Sequence, residues 1–237
     1  MNLAYRLRPQ KLEEFFGQEH LVGPDKILRK MIEEKTFFSM ILWGPPGSGK
    51  TTLAQIISNS TNSDFHSLLA VQAGKDDLRK IISSAKQTLE KRKRTILFID
   101  EIHRWNKAQQ DSLLPHVESG LITLIGATTE NPSFEVISPL LSRCRVFVLK
   151  GLDEKNLEKI LNVALKDKEK GLGKHNKKID AQGKELLIRL SGADARIMLN
   201  ALEIAAINFK GKQITSAIIK EVFQTKSAGL YDKKADE

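Results

Sequence analysis

The chain has 237 residues, 41% of them hydrophobic, and its 38 Lys+Arg against 29 Asp+Glu leave a formal charge of +9. That apolar content is enough for one large or two modest cores without covalent staples, and the charge favours an anionic partner such as nucleic acid over an acidic surface. A single cysteine excludes a disulfide framework and a cysteine-based zinc site. No signal-peptide core and no run near the roughly 18 to 20 apolar residues of a membrane span is present, so the expected setting is cytoplasmic and away from membranes.

In chain order, the first apolar run is FFSMILW (37–43), read as a buried strand. It leads into GPPGSGKT (44–51), which satisfies G-x-x-x-x-G-K-[ST] between a strand and the amphipathic segment TTLAQIISN. In such a loop Gly44, Pro45, Pro46, Gly47, Ser48 and Gly49 let backbone N–H groups turn inward around a phosphate, and the helix opening near Thr52 adds its dipole. Lys50 is expected to reach the β- and γ-phosphates and the Thr51 hydroxyl to ligate Mg²⁺, which makes ATP with Mg²⁺ the expected cofactor pair. DFHSLLAV (64–71) is a second strand, followed by helical spacing in DDLRKIISSAKQTLEKRK.

RTILFID (94–100), the third strand, delivers two adjacent carboxylates to its C-terminal edge, where open α/β sheets bind ligands. Asp100 suits the Mg²⁺ shell. Glu101 suits polarisation of a water attacking the γ-phosphate, and its presence argues for hydrolysis over binding alone. Asn106 with Gln109 makes a capping box for the helix NKAQQDSLLPHVE. His103 and Arg104 read as a surface turn, with DNA or a neighbouring subunit as the other reading, and Trp105 reads as packing. LITLIGATT (121–129) is a fourth strand closing on two hydroxyls. Of these Thr129 is the candidate to orient the attacking water or sense the γ-phosphate, although such a pair is commonplace at strand ends. RVFVL (145–149) is the fifth strand. Arg143, fourteen residues past Thr129, is placed to meet a neighbouring subunit's nucleotide, with a surface salt bridge as the alternative.

Alternating elements of this length imply an α/β fold with a parallel sheet and helices on both faces. After Lys150 the strand signals stop. Asp153, Asp180, Asp194 and Thr215 are candidate N-caps of four amphipathic helices, and KDKEKGLGKHNKK (166–178) reads as an exposed loop. Arg196 falls in the first turn of a helix, where the dipole disfavours a cation without an anionic partner; the γ-phosphate and Asp194 are both candidates. The expected organisation is a nucleotide-binding core over 1–150, a helical lid over 151–226 and a tail over 227–237.

The segments LAYRLRPQKLEEFFGQEHLVG, WGPPGSGKTTLA, ILFIDEIHRWNKAQQDSLLPHVESG, LIGATTENPSFEVISPLLSRCRV and SGADARIMLNALE together cover nearly all of residues 3 to 206. In this order they resemble the AAA+ ATPases of the clamp-loader branch, most closely the replication-associated recombination protein A family with its eukaryotic relative, the Werner-helicase-interacting protein. The resemblance implies a P-loop AAA+ core with a five-stranded parallel sheet flanked by helices, plus a small all-helical lid. It also implies that Lys50 and Thr51 are the Walker A lysine and Mg²⁺ ligand and that Asp100 and Glu101 are the Walker B pair. Thr129 would be the first sensor, Arg143 the arginine finger and Arg196 the second sensor, with Arg8 and Gln18 in the segment that wraps the adenine. Arg145 receives no role. The implied activity is DNA-dependent ATP hydrolysis in replication-fork maintenance, recombination and repair, on forked or gapped DNA or single/double-strand junctions. Single-strand-binding protein and replisome components are the implied partners. Family members continue into an oligomerisation region that forms homo-oligomers, whereas this chain stops at AGLYDKKADE. A clamp-loader subunit, a branch-migration motor and a non-hydrolysing structural subunit are the alternatives. A nucleotide kinase is remoter, since no acceptor-substrate motif is present.

Overall fold

The computed structural model describes residues 1–36 and 38–231. Phe37, the first residue of the run 37–43, and residues 232–237 of the expected tail lie outside the described residues. The elements are, in chain order, α1 (Leu3–Arg6), α2 (Glu19–Val22), α3 (Ile27–Glu34), β1 (Met40–Trp43), α4 (Lys50–Thr61), β2 (Asp64–Leu69), α5 (Lys75–Glu90), β3 (Thr95–Asp100), α6 (Lys107–Asp111), α7 (Leu114–Glu118) and β4 (Thr123–Thr128). They continue with α8 (Pro132–Glu135), α9 (Ser138–Leu141), β5 (Arg145–Val148), α10 (Glu154–Lys166), β6 (Lys178–Ile179), α11 (Ala181–Leu190), α12 (Ala195–Asn208), β7 (Gln213–Ile214) and α13 (Ser216–Tyr231). They fall into two compact units, Pro9–Lys150 on one side and Met1–Arg8 with the residues from Gly151 onward on the other.

In the Pro9–Lys150 unit the five apolar runs form one parallel sheet in the order β2-β3-β4-β1-β5. The central strands are buried on both faces, which is why they read as continuous apolar runs. Met40, Leu42, Ile96, Phe98, Ile125 and Ala127 pack with Leu53, Ala54, Ile56 and Ile57 of α4. The alternate residues Ile41, Leu97, Ile99 and Leu124 pack with Leu78, Ile81, Ile82 and Ala85 of α5, the i, i+3, i+4, i+7 stripe of an amphipathic helix. The two edge strands depart from the expectation of burial: in β5 only Phe147 is buried, since among the described residues no strand pairs on its outer side. The helix expected from Asn106 through Glu118 is broken into α6 and α7. Pro115 sits in the first turn of α7, where it lacks an N–H and its ring would clash with the carbonyl four residues back in a continuous helix.

Strand order decides where a ligand can sit. The chain leaves β1 toward β2 on one side of the sheet and leaves the adjacent β4 toward β5 on the other. Connections diverging from two neighbouring parallel strands open a crevice at their carboxyl ends. Trp43 is level with Thr128 in that pair, and Ile99 of β3 is level with Gly126. The P-loop, the carboxylates after β3 and the hydroxyls after β4 therefore emerge side by side.

The other unit is helical, as expected, with caps where the sequence places them. Asp153, Asp180 and Asp194 accept hydrogen bonds from the backbone N–H of Asn156, Gly183 and Arg196, and α13 begins directly after Thr215. Its core joins Leu157, Leu161, Leu187, Met198, Leu202 and Ile219 with Leu3. The first eight residues belong here because Leu3 is fully buried in this core, the Leu3 N–H donates to Glu203 at 2.8 Å, and Arg6 pairs with Glu203 at 2.9 Å. One feature has no signal in the sequence: β6 and β7 pair in parallel over two residues, Lys178 with Gln213 and Ile179 with Ile214. Within the 166–178 loop, Leu172 and Gly173 are buried while Lys168, Lys170 and Lys174 around them are exposed. The α13 helix runs on to Tyr231, past the position where the tail was expected to begin.

Candidate active site

The 44–51 loop bridges β1 and α4 with its backbone close against the sheet. The Gly44 N–H donates to the Thr128 carbonyl at 3.2 Å, and a Cβ on Gly44 would collide with the Leu149 carbonyl oxygen, so only glycine fits. Gly49 caps α4 at φ 96° and its Cα faces the Phe15 ring, leaving no space for a side chain. Pro45 and Pro46 are exposed, Gly47 and Thr52 half-buried, and Ser48 buried. Lys50, the first residue of α4, is 7% exposed, and its Nζ donates to the carbonyls of Gly44 at 2.7 Å and Pro45 at 3.0 Å. The N–H groups of the first α4 turn, which have no carbonyl partner within a helix, and that ammonium are the parts of an anion site.

Thr51 Oγ1 donates to Asp100 Oδ2 at 3.4 Å. A hydroxyl and a carboxylate converging from the helix and from β3 are hard oxygen donors of the kind Mg²⁺ takes when it keeps waters and phosphate oxygens for its other positions. Among the described residues no group of three or more His, Cys, Asp or Glu could hold a metal alone. Glu101 follows in the left-handed region at φ 57°, with its N–H on Asp100 Oδ1 at 3.2 Å.

The two threonines after β4 divide. Thr128 is fully buried, its hydroxyl 2.9 Å from His103 Nδ1 and accepting from the Glu130 N–H at 3.0 Å. Thr129 is half-buried, and its hydroxyl has no hydrogen bond among the described residues. His103 is thus no surface turn: its side chain is 6% exposed, with Nε2 3.2 Å from Glu101 Oε2. Only its place two residues after Glu101 hinted at this. Trp105 packs, 3% exposed, with its indole N–H on the Ala73 carbonyl.

Gln18 is buried in the left-handed region at φ 62°. Its amide is spent within the protein: Nε2 donates to the Ser48 and Lys150 carbonyls at 3.2 and 2.6 Å, and Oε1 accepts from the Lys150 N–H at 2.9 Å. Its side chain braces the P-loop, a role that its position in an adenine-wrapping segment did not suggest.

Arg143 is exposed and paired with Glu118 at 2.5 Å, with further bonds to the Pro139 carbonyl and Ser142 hydroxyl. The salt bridge weighed against the finger reading exists, and the guanidinium is nonetheless on the surface. Arg145 lies over the Phe38 ring at 4.5 Å from its centroid. In the other unit Arg8 lies over the Tyr5 ring at 5.4 Å, and Arg196 is bound by Asp194 at 3.1 Å while its side chain stays 63% exposed. Burial pushes the Cys144 thiol up to about 12, so it is a protonated, inert group.

A family model described as "ATPase family associated with various cellular activities (AAA)" matches residues 40–152, and one described as "AAA C-terminal domain" matches 173–237. The chain is 45% identical to replication-associated recombination protein A of Haemophilus influenzae and 44% identical to that of Escherichia coli K12, in each case over 99% of this chain and 53% of the other. It is 41% identical to ATPase WRNIP1 of Dictyostelium discoideum over 99% of this chain and 29% of that protein. It thus spans about half the length, or less, of these curated relatives. Among solved structures it is similar to the RuvB Holliday junction branch migration motor of Thermotoga maritima, with a TM-score of 0.73 and 28% identity over 93% of this chain and 73% of that one. A point variant of that RuvB gives a TM-score of 0.74 at the same identity and coverage. Identity above 40% along nearly the whole of this chain, carried by the P-loop core and the helical unit alike, means that it belongs to the AAA+ ATPases, in the family of replication-associated recombination protein A and WRNIP1.

Proposed function

We propose that the chain hydrolyses ATP to ADP and phosphate on DNA, within a homo-oligomer that acts in replication-associated recombination, fork maintenance and repair. The observation that carries this is the convergence of Lys50, Thr51, Asp100 and Glu101 at the carboxyl edge of β1 and β3. Lys50 exchanges its carbonyl partners for the β- and γ-phosphate oxygens. Thr51 and Asp100 hold Mg²⁺, which when bound offsets the charge developing on the phosphates. Glu101 accepts the proton of the attacking water, and the free hydroxyl of Thr129 orients that water against the γ-phosphate. Arg143 contacts the nucleotide of a neighbouring copy, and Arg196 the γ-phosphate of its own. The segment with Arg8 and Gln18 borders the adenine, Gln18 acting through the backbone it braces.

The DNA part is supported by the +9 charge, the recombination-named relatives and a branch-migration motor of the same fold. Contacts of this kind go to phosphates and weaken with salt. Single-strand-binding protein and other replisome components are the protein partners the family implies, with a nucleoid-associated cytoplasmic setting.

The test is ATP turnover per chain across a wide range of protein concentration, with forked DNA at low salt. A specific rate that climbs with concentration and with DNA is expected. Tight ATP binding without turnover at any concentration, with or without DNA, overturns hydrolysis and leaves the structural-subunit reading.

A further inference from the structure

Both ring nitrogens of His103 face a polar partner. His103 Nε2 lies 3.2 Å from Glu101 Oε2, and because a bare ring nitrogen would set lone pair against lone pair there, the contact is attractive only with hydrogen on Nε2. With hydrogen on Nε2, Nδ1 is free to accept, and the Thr128 hydroxyl lies 2.9 Å from it, closer than to its other acceptor, the Glu130 carbonyl at 3.2 Å, so the hydroxyl hydrogen is assigned to Nδ1. Thr128 Oγ1 in turn accepts from the Glu130 N–H at 3.0 Å. The result is one oriented chain: backbone N–H of residue 130, hydroxyl of Thr128, imidazole of His103, carboxylate of Glu101.

This chain spans two strand ends. Thr128 is the last residue of β4 and fully buried, while Glu101 follows β3 in a left-handed conformation with its side chain 30% exposed. A carboxylate with that much freedom samples several rotamers unless something holds it, and holding it against a partner limits the entropy to be lost before reaction. The imidazole, 6% exposed, is the group that does so. Thr129, next to Thr128 in the chain and just past the end of β4, has no hydroxyl hydrogen bond among the described residues. Any shift of the β4 end on phosphate contact through Thr129 therefore reaches Glu101 through the Thr128–His103 hydrogen bond and the 3.2 Å contact of His103 with Glu101.

We propose that His103 is a positioning residue for Glu101: it is the Nε2-protonated tautomer, fixed by Thr128, and it sets the placement of the carboxylate from the end of β4. The inference rests on the hydrolytic reading of Glu101 and assigns how that carboxylate is aimed.

Two measurements test it. Long-range ¹⁵N–¹H correlation spectra of the wild-type chain identify which imidazole nitrogen bears hydrogen, independent of turnover. Hydrogen on Nε2 is expected, and hydrogen on Nδ1 alone overturns the proposal. Kinetically, His103→Ala should lower kcat on the order of 10- to 100-fold, part of what a general base contributes, with ATP affinity unchanged. His103→Gln, which keeps a donor, should recover part of the loss. In a Glu101→Gln background the His103→Ala substitution should change the residual rate less than about twofold, because coupled residues are not additive. A purely structural role would instead lower the melting temperature and weaken ATP binding in both backgrounds. Loss of turnover in Glu101→Gln alongside an unchanged kcat in His103→Ala overturns this inference alone. Equal turnover in wild type and Glu101→Gln overturns the hydrolytic reading, and this inference with it.

Discussion

Replacing Gln18 removes three hydrogen bonds at once, to the carbonyls of Ser48 and Lys150 and from the Lys150 N–H. Each is worth about 0.5–1.5 kcal/mol net, so Gln18→Ala should destabilise the Pro9–Lys150 unit by about 2–4 kcal/mol. At roughly 2–4 °C per kcal/mol for a domain of this size, the melting temperature should fall by roughly 5–15 °C. Gln18 also sits at φ 62° and ψ 28°, a conformation that costs a residue with a Cβ about 1 kcal/mol or more. Gln18→Gly loses the same three bonds but is relieved of that strain. It should therefore be more stable than Gln18→Ala by about 1 kcal/mol, the reverse of the usual order for these two residues in regular structure. Urea unfolding followed by tryptophan fluorescence gives both numbers, and a nucleotide titration run alongside should show weaker ATP binding in both variants because the Ser48 carbonyl loses its anchor. Alanine as stable as the wild type, or glycine less stable than alanine, would refute the bracing argument.

Arg143→Ala should leave ATP affinity intact while turnover falls about 10³-fold or more, the scale of a missing trans arginine; full activity in that variant sinks the finger role. Glu118→Gln removes only a half-exposed ion pair, so its melting temperature should stay within about 4 °C of wild type, since such pairs contribute about 1 kcal/mol or less; a larger drop would show that the pair is structural. Cys144 should resist iodoacetamide at pH 8 until the chain unfolds, as mass spectrometry of quenched samples can check. The linkage has a definite sign: burial raises this thiol from its ordinary 9.0 to about 12, so between those values the unfolded chain releases a proton that the folded chain keeps. Stability should fall as pH rises from about 9 to 12, by up to about 1.4 kcal/mol per pH unit more than in Cys144→Ala, and parallel pH curves for the two proteins would refute it. Trp105→Phe keeps the buried ring but strands the Ala73 carbonyl, for an expected loss of about 1–3 kcal/mol in urea unfolding; a change under about 0.5 kcal/mol would mean that bond contributes little.

Amino-acid order alone determined what depends on neighbours within a turn or a strand. The five strands, the stripes of α4 and α5, the caps at Asp153, Asp180 and Asp194, the Asn106–Gln109 box and the phosphate-binding loop all follow from local propensity and from spacings under ten residues. The resemblance to a family added fold and function because it rests on five such segments in a fixed order.

Contacts between distant residues were decided only by the tertiary structure. Gln18 meets Lys150 across 132 positions, Leu3 meets Glu203 across 200, and His103 meets Thr128 across 25. No periodicity records such a pairing, so the brace under the P-loop, the membership of the first eight residues and the partner of Glu101 were invisible. The Thr128–Thr129 pair makes the same point at one bond's distance. Both residues have the same chemistry, and which hydroxyl is buried depends on what the sheet packs against. A chain specifies its elements through interactions between near neighbours, but a side chain's task is set by whichever distant group folding delivers to it.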